Sequence, residues 1–307
     1  MEIATPNQNI FHSVCPANKY SSLFVQWVIS SLLVITSVLV PIEVFAAPQL
    51  VVAPTRIIIE GRTRTASINL INRGDQTGTF RITFERKRMT ETGRVVPIEK
   101  PVAGEIYADQ IIRYAPRQVT LAPGQSQVVR LMVRKPANLA HGEYRSHLLF
   151  QGLPPDTGKN IETQVKSKSN KLSIRIIPVL GISIPVIVRH GITQATVTLE
   201  KLRLEKRSKD SKKAILVLTA KRSGNRSVYG DFIVYFTPEG GKKVTVAKSG
   251  GNAIYTPNTL RMVRIALQAP NKVKLDNGIL EVVYRVPAAQ GDKVLASASA
   301  RIVPLAR

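Results

Sequence analysis

Residues 172–186 read LSIRIIPVLGISIPV, and every even-numbered position is apolar: Leu172, Ile174, Ile176, Pro178, Leu180, Ile182, Ile184 and Val186. In an extended chain, successive side chains point to opposite faces, so a period of two puts all eight on one face of a strand. At ~3.3 Å per residue the strand would run roughly 50 Å, against the usual five or six residues. A strand that long overhangs its own domain. Before it lies PPDTGKNIETQVKSKSNK (154–171), a polar loop without apolar periodicity. Loops beyond ~12 to 15 residues are usually functional or disordered. Two readings stay open: the strand completes its own sandwich and runs on into a linker, or it finds its partner in another molecule.

Working outward, the chain from Ala47 on is β in pattern almost throughout, with no convincing helix. TASINLINRGD (65–75), TGTFRITFERKR (77–88), QSQVVRLMVRKP (125–136) and GEYRSHLLFQ (142–151) read as half-buried strands, because apolar residues alternate with polar ones. Turn chemistry separates them at Arg73-Gly74-Asp75, Thr92-Gly93, Ala122-Pro123-Gly124 and Leu153-Pro154-Pro155. After His190-Gly191 the style repeats through six or more further strands, with a hairpin turn at Pro238–Gly241. The 307 residues suit two domains. The expected fold is therefore all-β, two immunoglobulin-like sandwiches over 47–189 and 190–307.

Residues 1–46 differ from the rest. The apolar run LFVQWVISSLLVITSVLV (23–40) precedes Pro41 and the small residues of PIEVFA, the pattern of a cleavable signal peptide with Val44 and Ala46 at the cleavage positions. A permanent anchor is the rival reading, since the run is near the lower limit for a membrane span. Cys15, the sole cysteine, lies in this leader, so the mature chain has no thiol for a disulfide, a thiolate metal site or a nucleophile. The leader carries Lys19 against Glu2 and Glu43, and its removal raises the net charge from +24 to +25. That charge attracts acidic partners. Export and the scatter of the basic residues along strands argue against nucleic acid. The one basic cluster, KLRLEKRSKDSKK (201–213), reads as a solvated hairpin turn.

Catalysis finds no footing. His141, His147 and His190 are too few and too separated for a metal signature, and there is no nucleophile elbow. GLPPDTGKN (152–160) fails as a phosphate loop: Gly152 and Gly158 are one residue too far apart, and Asn160 replaces the Ser or Thr. Glu99, Glu105 and Asp109 read as a solvated loop. No enzyme, no cofactor and no metal are expected.

Taken in order, APTRIIIEG (53–61), NLINRG (69–74), LAPGQSQVVRL (121–131), GEYRSHLLFQGLPP (142–155) and the long apolar strand resemble the periplasmic chaperones of chaperone-usher pilus assembly, over nearly the whole mature chain. The resemblance implies two immunoglobulin-like sandwiches set at an angle. It implies a periplasmic protein that binds pilus subunits in the cleft, fills their open groove by β-augmentation and delivers them to an outer-membrane usher. Leu172, Ile174, Ile176 and Leu180 would be the donated side chains, with Pro178 on the same face. Arg56 matches the arginine that holds the subunit's terminal carboxylate. The companion lysine's place falls on Pro185, which points to a divergent branch, and Arg145 is the candidate substitute. Glu143 and Arg189 resemble members of a structural charge network between the domains, whose third member, an acid of the second domain, has no match here. An exposed apolar edge is an aggregation hazard, and self-capping in a homo-oligomer would protect the free chaperone.

Two other classes compete. A sandwich binding a carbohydrate or cell surface should show solvent-facing aromatics, yet the sole tryptophan, Trp27, lies in the leader. A pilin would lack a complete sandwich and carry its own donor extension.

Overall fold

The computed structural model describes residues 49–154, 179–206, 213–270 and 273–302, which fall in one compact unit. The leader, the loop following Pro154 and the donor positions Leu172, Ile174, Ile176 and Pro178 lie outside the described residues. Among those described, the only helix is a single 3-10 turn at Ala288–Gln290, and no helix is long and apolar enough to cross a membrane.

Eleven strands build the first sandwich: β1 (Leu50–Ala53), β2 (Ile57–Ile59), β3 (Thr65–Asn72), β4 (Gly78–Glu85), β5 (Lys87–Met89), β6 (Val95–Pro97), β7 (Ile112–Ala115), β8 (Gln118–Leu121), β9 (Ser126–Val133), β10 (Gly142–Gly152) and β11 (Gly181–His190). One sheet has the order β1-β3-β9-β7 and the facing sheet β2-β11-β10-β4-β8, while β5 and β6 form a separate hairpin. The second sandwich uses β12 (Ala195–Lys206), β13 (Lys213–Gly224), β14 (Val228–Pro238), β15 (Val244–Ile254), β16 (Leu260–Gln268), β17 (Gly278–Arg285) and β18 (Val294–Ile302), in sheets β12-β13-β16 and β15-β14-β17-β18.

Alternation decides which side chains enter each core. In β3, Ile68 and Leu70 point inward and meet Leu131, Leu148, Phe150 and Val186. In β14, Phe232, Val234 and Phe236 do the same, and the Phe232 ring stacks on Tyr284 with centroids 4.4 Å apart. The Tyr284 hydroxyl donates to Asn252 O at 2.8 Å, so the large ring is buried without stranding its polar end.

The turn after β3 is tied by Asn72, the buried asparagine of NLINRG. Its Nδ2 donates to Gln76 O at 2.7 Å and Leu121 O at 3.0 Å, and its Oδ1 accepts from Gly74 N and Gln49 N. One amide thereby serves three chain segments. Replacing it with alanine would strand these buried backbone groups. We expect Asn72→Ala to lower unfolding free energy by about 2 to 3 kcal/mol, read from the denaturant midpoint at unchanged slope.

β10 departs from the half-buried strand read from its alternation. Its residues from Gly142 to His147 are all buried, including Glu143, Arg145 and His147 on the polar face. The alternation is real, but the second sandwich covers the face that would otherwise meet water. Glu105 and Asp109 are likewise no solvated loop. Arg88 binds Glu105 through Nε and Nη2, Arg86 binds Asp109 in the same two-pronged way, and the Arg88 guanidinium holds the Glu105 carboxyl down at about 2.

Candidate functional site: the face between the sandwiches

β10 and β11 run antiparallel with Glu143 opposite Arg189, Arg145 opposite Ile187 and His147 opposite Pro185. Residues two apart share a face, so this register gathers the polar side chains of β10 on the side turned to the second sandwich. Arg189 Nε donates to Glu143 Oε2 at 3.0 Å, and Arg189 Nη1 donates to Glu60 Oε2 at 2.8 Å. From the second sandwich, Ser227 donates its backbone N–H to Glu143 Oε2 at 3.1 Å and its hydroxyl to Oε1. The third member of this network is thus a serine, and the second acid, Glu60, comes from the first sandwich. A neutral donor suffices because Arg189 already matches the Glu143 charge.

Beside it is an apolar contact in which Met89 and Ile187 pack with Ala253 and Tyr255. The β5–β6 hairpin continues the contact, with Met89 O accepting from Asn258 Nδ2 and Glu91 O from Met262 N, each at 2.7 Å.

Arg56 immediately precedes β2. Its guanidinium carbon lies 4.2 Å from the Tyr229 ring centroid and 5.6 Å from that of Tyr255. Arg145 reaches the Tyr255 ring at 4.6 Å and is 7% exposed. The arginine proposed from sequence as a substitute anchor is thus largely committed: Nη1 donates to Lys87 O and Nη2 to Thr256 O. Its Nε, with Nε and Nη1 of Arg56, is buried without a partner among the described residues. Burial lowers both arginine pKa values, although a guanidinium stays charged at neutral pH.

β11 itself has an unfinished edge. β10 pairs with it from Gly181 to His190, but β2 covers its other side only over Val186–Val188. Along Gly181–Pro185 no strand occupies that side among the described residues. Regular pairing also begins later than the alternation implies: Val179 and Leu180 belong to no strand, and Leu180 is 76% exposed. Leu180 is the one donor candidate within the described residues.

Residues 49–189 match the family described as pili and flagellar-assembly chaperone, PapD N-terminal domain. These residues span the first sandwich. No curated protein matches the chain in sequence. Among solved structures it is similar to a chain of a chaperone–tip adhesin complex of CFA/I fimbriae biogenesis, with 14% identity over 83% of this chain and 99% of that one and a TM-score of 0.43. It is also similar to a chain of the Salmonella enterica SafA pilin–SafB chaperone complex (11%, 83% and 97%, 0.41) and to one of the Acinetobacter baumannii CsuC–CsuE pre-assembly complex (13%, 84% and 100%, 0.40).

Sequence reasoning missed Tyr229, Tyr255, Ser227 and Glu60 because each sits in an ordinary strand or turn pattern. Only the fold shows which face they line. His147 could be placed only as polar surface or cleft. It is buried, its Nδ1 has no partner among the described residues, and burial, with help from Arg145 and Lys87, pushes its pKa down to about 3. The folded state holds it neutral, whereas an unfolded chain takes the proton near 6.5. Its contribution to stability is complete above about pH 6.5 and falls away as pH drops toward 3. Between pH 7.5 and 5.5 the parent should lose about 1.4 kcal/mol more than His147→Leu, measured by denaturant titration at both pH values.

Proposed function

We propose that this chain is a periplasmic chaperone that captures pilus subunits by lending them a β-strand and passes them to an outer-membrane usher. In this reading residues 1–46 are its export signal, and 47–189 and 190–307 are its two domains. The observation that carries the reading is the edge of β11 along Gly181–Pro185, uncovered among the described residues and ending at Arg56. β2 lies parallel to β11 from Ile57 on. An incoming strand that paired in parallel with the open edge would therefore approach the start of β2 with its C-terminus leading. Its terminal carboxylate would arrive at Arg56, whose free N–H groups suit it.

Strand addition satisfies unpaired backbone groups on both partners, while alternate side chains supply specificity. Leu172, Ile174, Ile176 and Leu180 are the donated side chains. Burying four aliphatic groups yields ~6 to 12 kcal/mol gross, much of it offset by association and ordering. Pro178 lacks an N–H and marks a missing rung. Arg145 contributes its remaining Nε to the anchor where a lysine would stand in place of Pro185. Glu143 and Arg189 hold the two sandwiches in the arrangement that presents this edge.

Co-expression of the tagged chain in a bacterial periplasm with the subunits encoded beside it, followed by pull-down and mass determination, tests the proposal. A 1:1 complex is expected, and Ile174→Asp with Ile176→Asp should abolish it while leaving the free chaperone folded. Undiminished capture by that double variant would rule out strand donation.

A further inference from the structure

The two arginines that point toward an incoming strand are held in an unusual way. No carboxylate grips them. The acids nearby are engaged elsewhere: Glu143 with Arg189 and Ser227, Glu60 with Arg189 and Arg226, Glu105 with Arg88, and Glu85 with Lys87. What meets them is aromatic, with two backbone carbonyls, Lys87 O and Thr256 O, added at Arg145. Tyr229 and Tyr255 lie under Arg56, and Tyr255 also lies under Arg145.

The difference matters because a guanidinium has two kinds of contact surface. Its N–H groups radiate in the plane, where a carboxylate must bind to be held in a fork. Its flat faces attract the negative face of an aromatic ring. A carboxylate partner would orient the arginine but consume the in-plane donors. A ring met by the face leaves in-plane donors free: among the described residues Arg56 Nε and Nη1 are buried without a partner, and so is Arg145 Nε, while Arg145 Nη1 and Nη2 serve the Lys87 and Thr256 carbonyls. Both arginines belong to the first sandwich. Tyr229 lies in β14 and Tyr255 directly follows β15, both in the second.

We infer that Tyr229 and Tyr255 are positioning residues that hold the guanidiniums of Arg56 and Arg145 by their faces, so that the second sandwich sets the geometry with which the first receives a peptide's terminal carboxylate. This rests on the anchor reading given above. The rings touch arginine rather than the carboxylate, so their effect appears in discrimination for the terminal charge and not in strand pairing.

The test uses the full mature chain and two synthetic peptides of one sequence, the last strand of a pilus subunit, one ending in a free carboxylate and the other in an amide. Calorimetric titration of the parent should give an acid-to-amide preference of about ten- to one-hundred-fold, as a charge-assisted pair provides. Tyr229→Leu with Tyr255→Leu should reduce that preference to about threefold or less while changing amide affinity less than about twofold. The matching double phenylalanine variant, which keeps both rings, should retain the preference. An undiminished preference in the leucine variant would overturn the inference, as would its loss in the phenylalanine variant, which would assign the role to the hydroxyls. An equal fall in acid and amide affinity would reduce the tyrosines to structural packing. If the parent itself does not distinguish the peptides, the carboxylate anchor fails and this inference fails with it.

Discussion

The geometry between the sandwiches depends on one buried ion pair. Glu143 and Arg189 stand opposite each other on adjacent strands with almost no exposure, and taking two charges out of water costs several kcal/mol each. The cost is tolerable only when the remaining lone pairs are filled. Here they are: Glu143 receives Arg189 Nε, the Ser227 amide and the Ser227 hydroxyl, and Arg189 reaches Glu60 as well. The Ser227 hydroxyl in turn accepts from Thr256 N at 3.0 Å. Two of these donors exist only when the second sandwich is in place, so the first sandwich alone would leave Glu143 with fewer partners than its burial requires. Ion pairing within one sandwich thereby becomes a preference for one placement of the other.

That placement carries the rest of the cleft. Thr256, tied to Ser227, supplies the carbonyl that accepts from Arg145, and its neighbour Tyr255 is the ring beneath both arginines. On the opposite strand, Ile187 packs into the same contact while Val186 and Val188 fill the core of the first sandwich. β11 therefore does two jobs with its two faces. A third falls to its edge, because the short β2 covers only Val186–Val188 and, among the described residues, no strand flanks that side along Gly181–Pro185.

Much of this was legible in the sequence and some was not, for reasons that can be named. Period-two alternation located β3 and β9 because one face of each meets a core and the other is turned mostly to water. The same signal misled at β10, where GEYRSH alternates like a half-exposed strand although both faces are buried. Alternation reports polarity, and polarity equals exposure only when no second domain covers the polar side. Glu143 and Arg189 could be paired through a family resemblance. Ser227 could not, since a serine among turn residues carries no periodic signal. Tyr255 follows the buried Ile254 as any aromatic at a strand end might, and its importance arises from Arg56, about two hundred residues earlier. Such contacts are set by tertiary placement, to which a local pattern is blind.

The arginines also show where stability has been given up. A well-packed interface would pair every buried donor, since leaving one unmade costs about 1 to 3 kcal/mol. Among the described residues three guanidinium nitrogens here are left so, in a region that also contains a neutral histidine whose Nδ1 has no partner among them. Aromatic faces return about 1 to 2 kcal/mol per contact when desolvated, less than a carboxylate fork would. An acid at either tyrosine position would offer those donors a partner in the free protein and, in the proposed capture, compete with an incoming carboxylate for them. In the proposed capture, the surplus positive charge at this face is half of an ion pair whose other half arrives with the subunit.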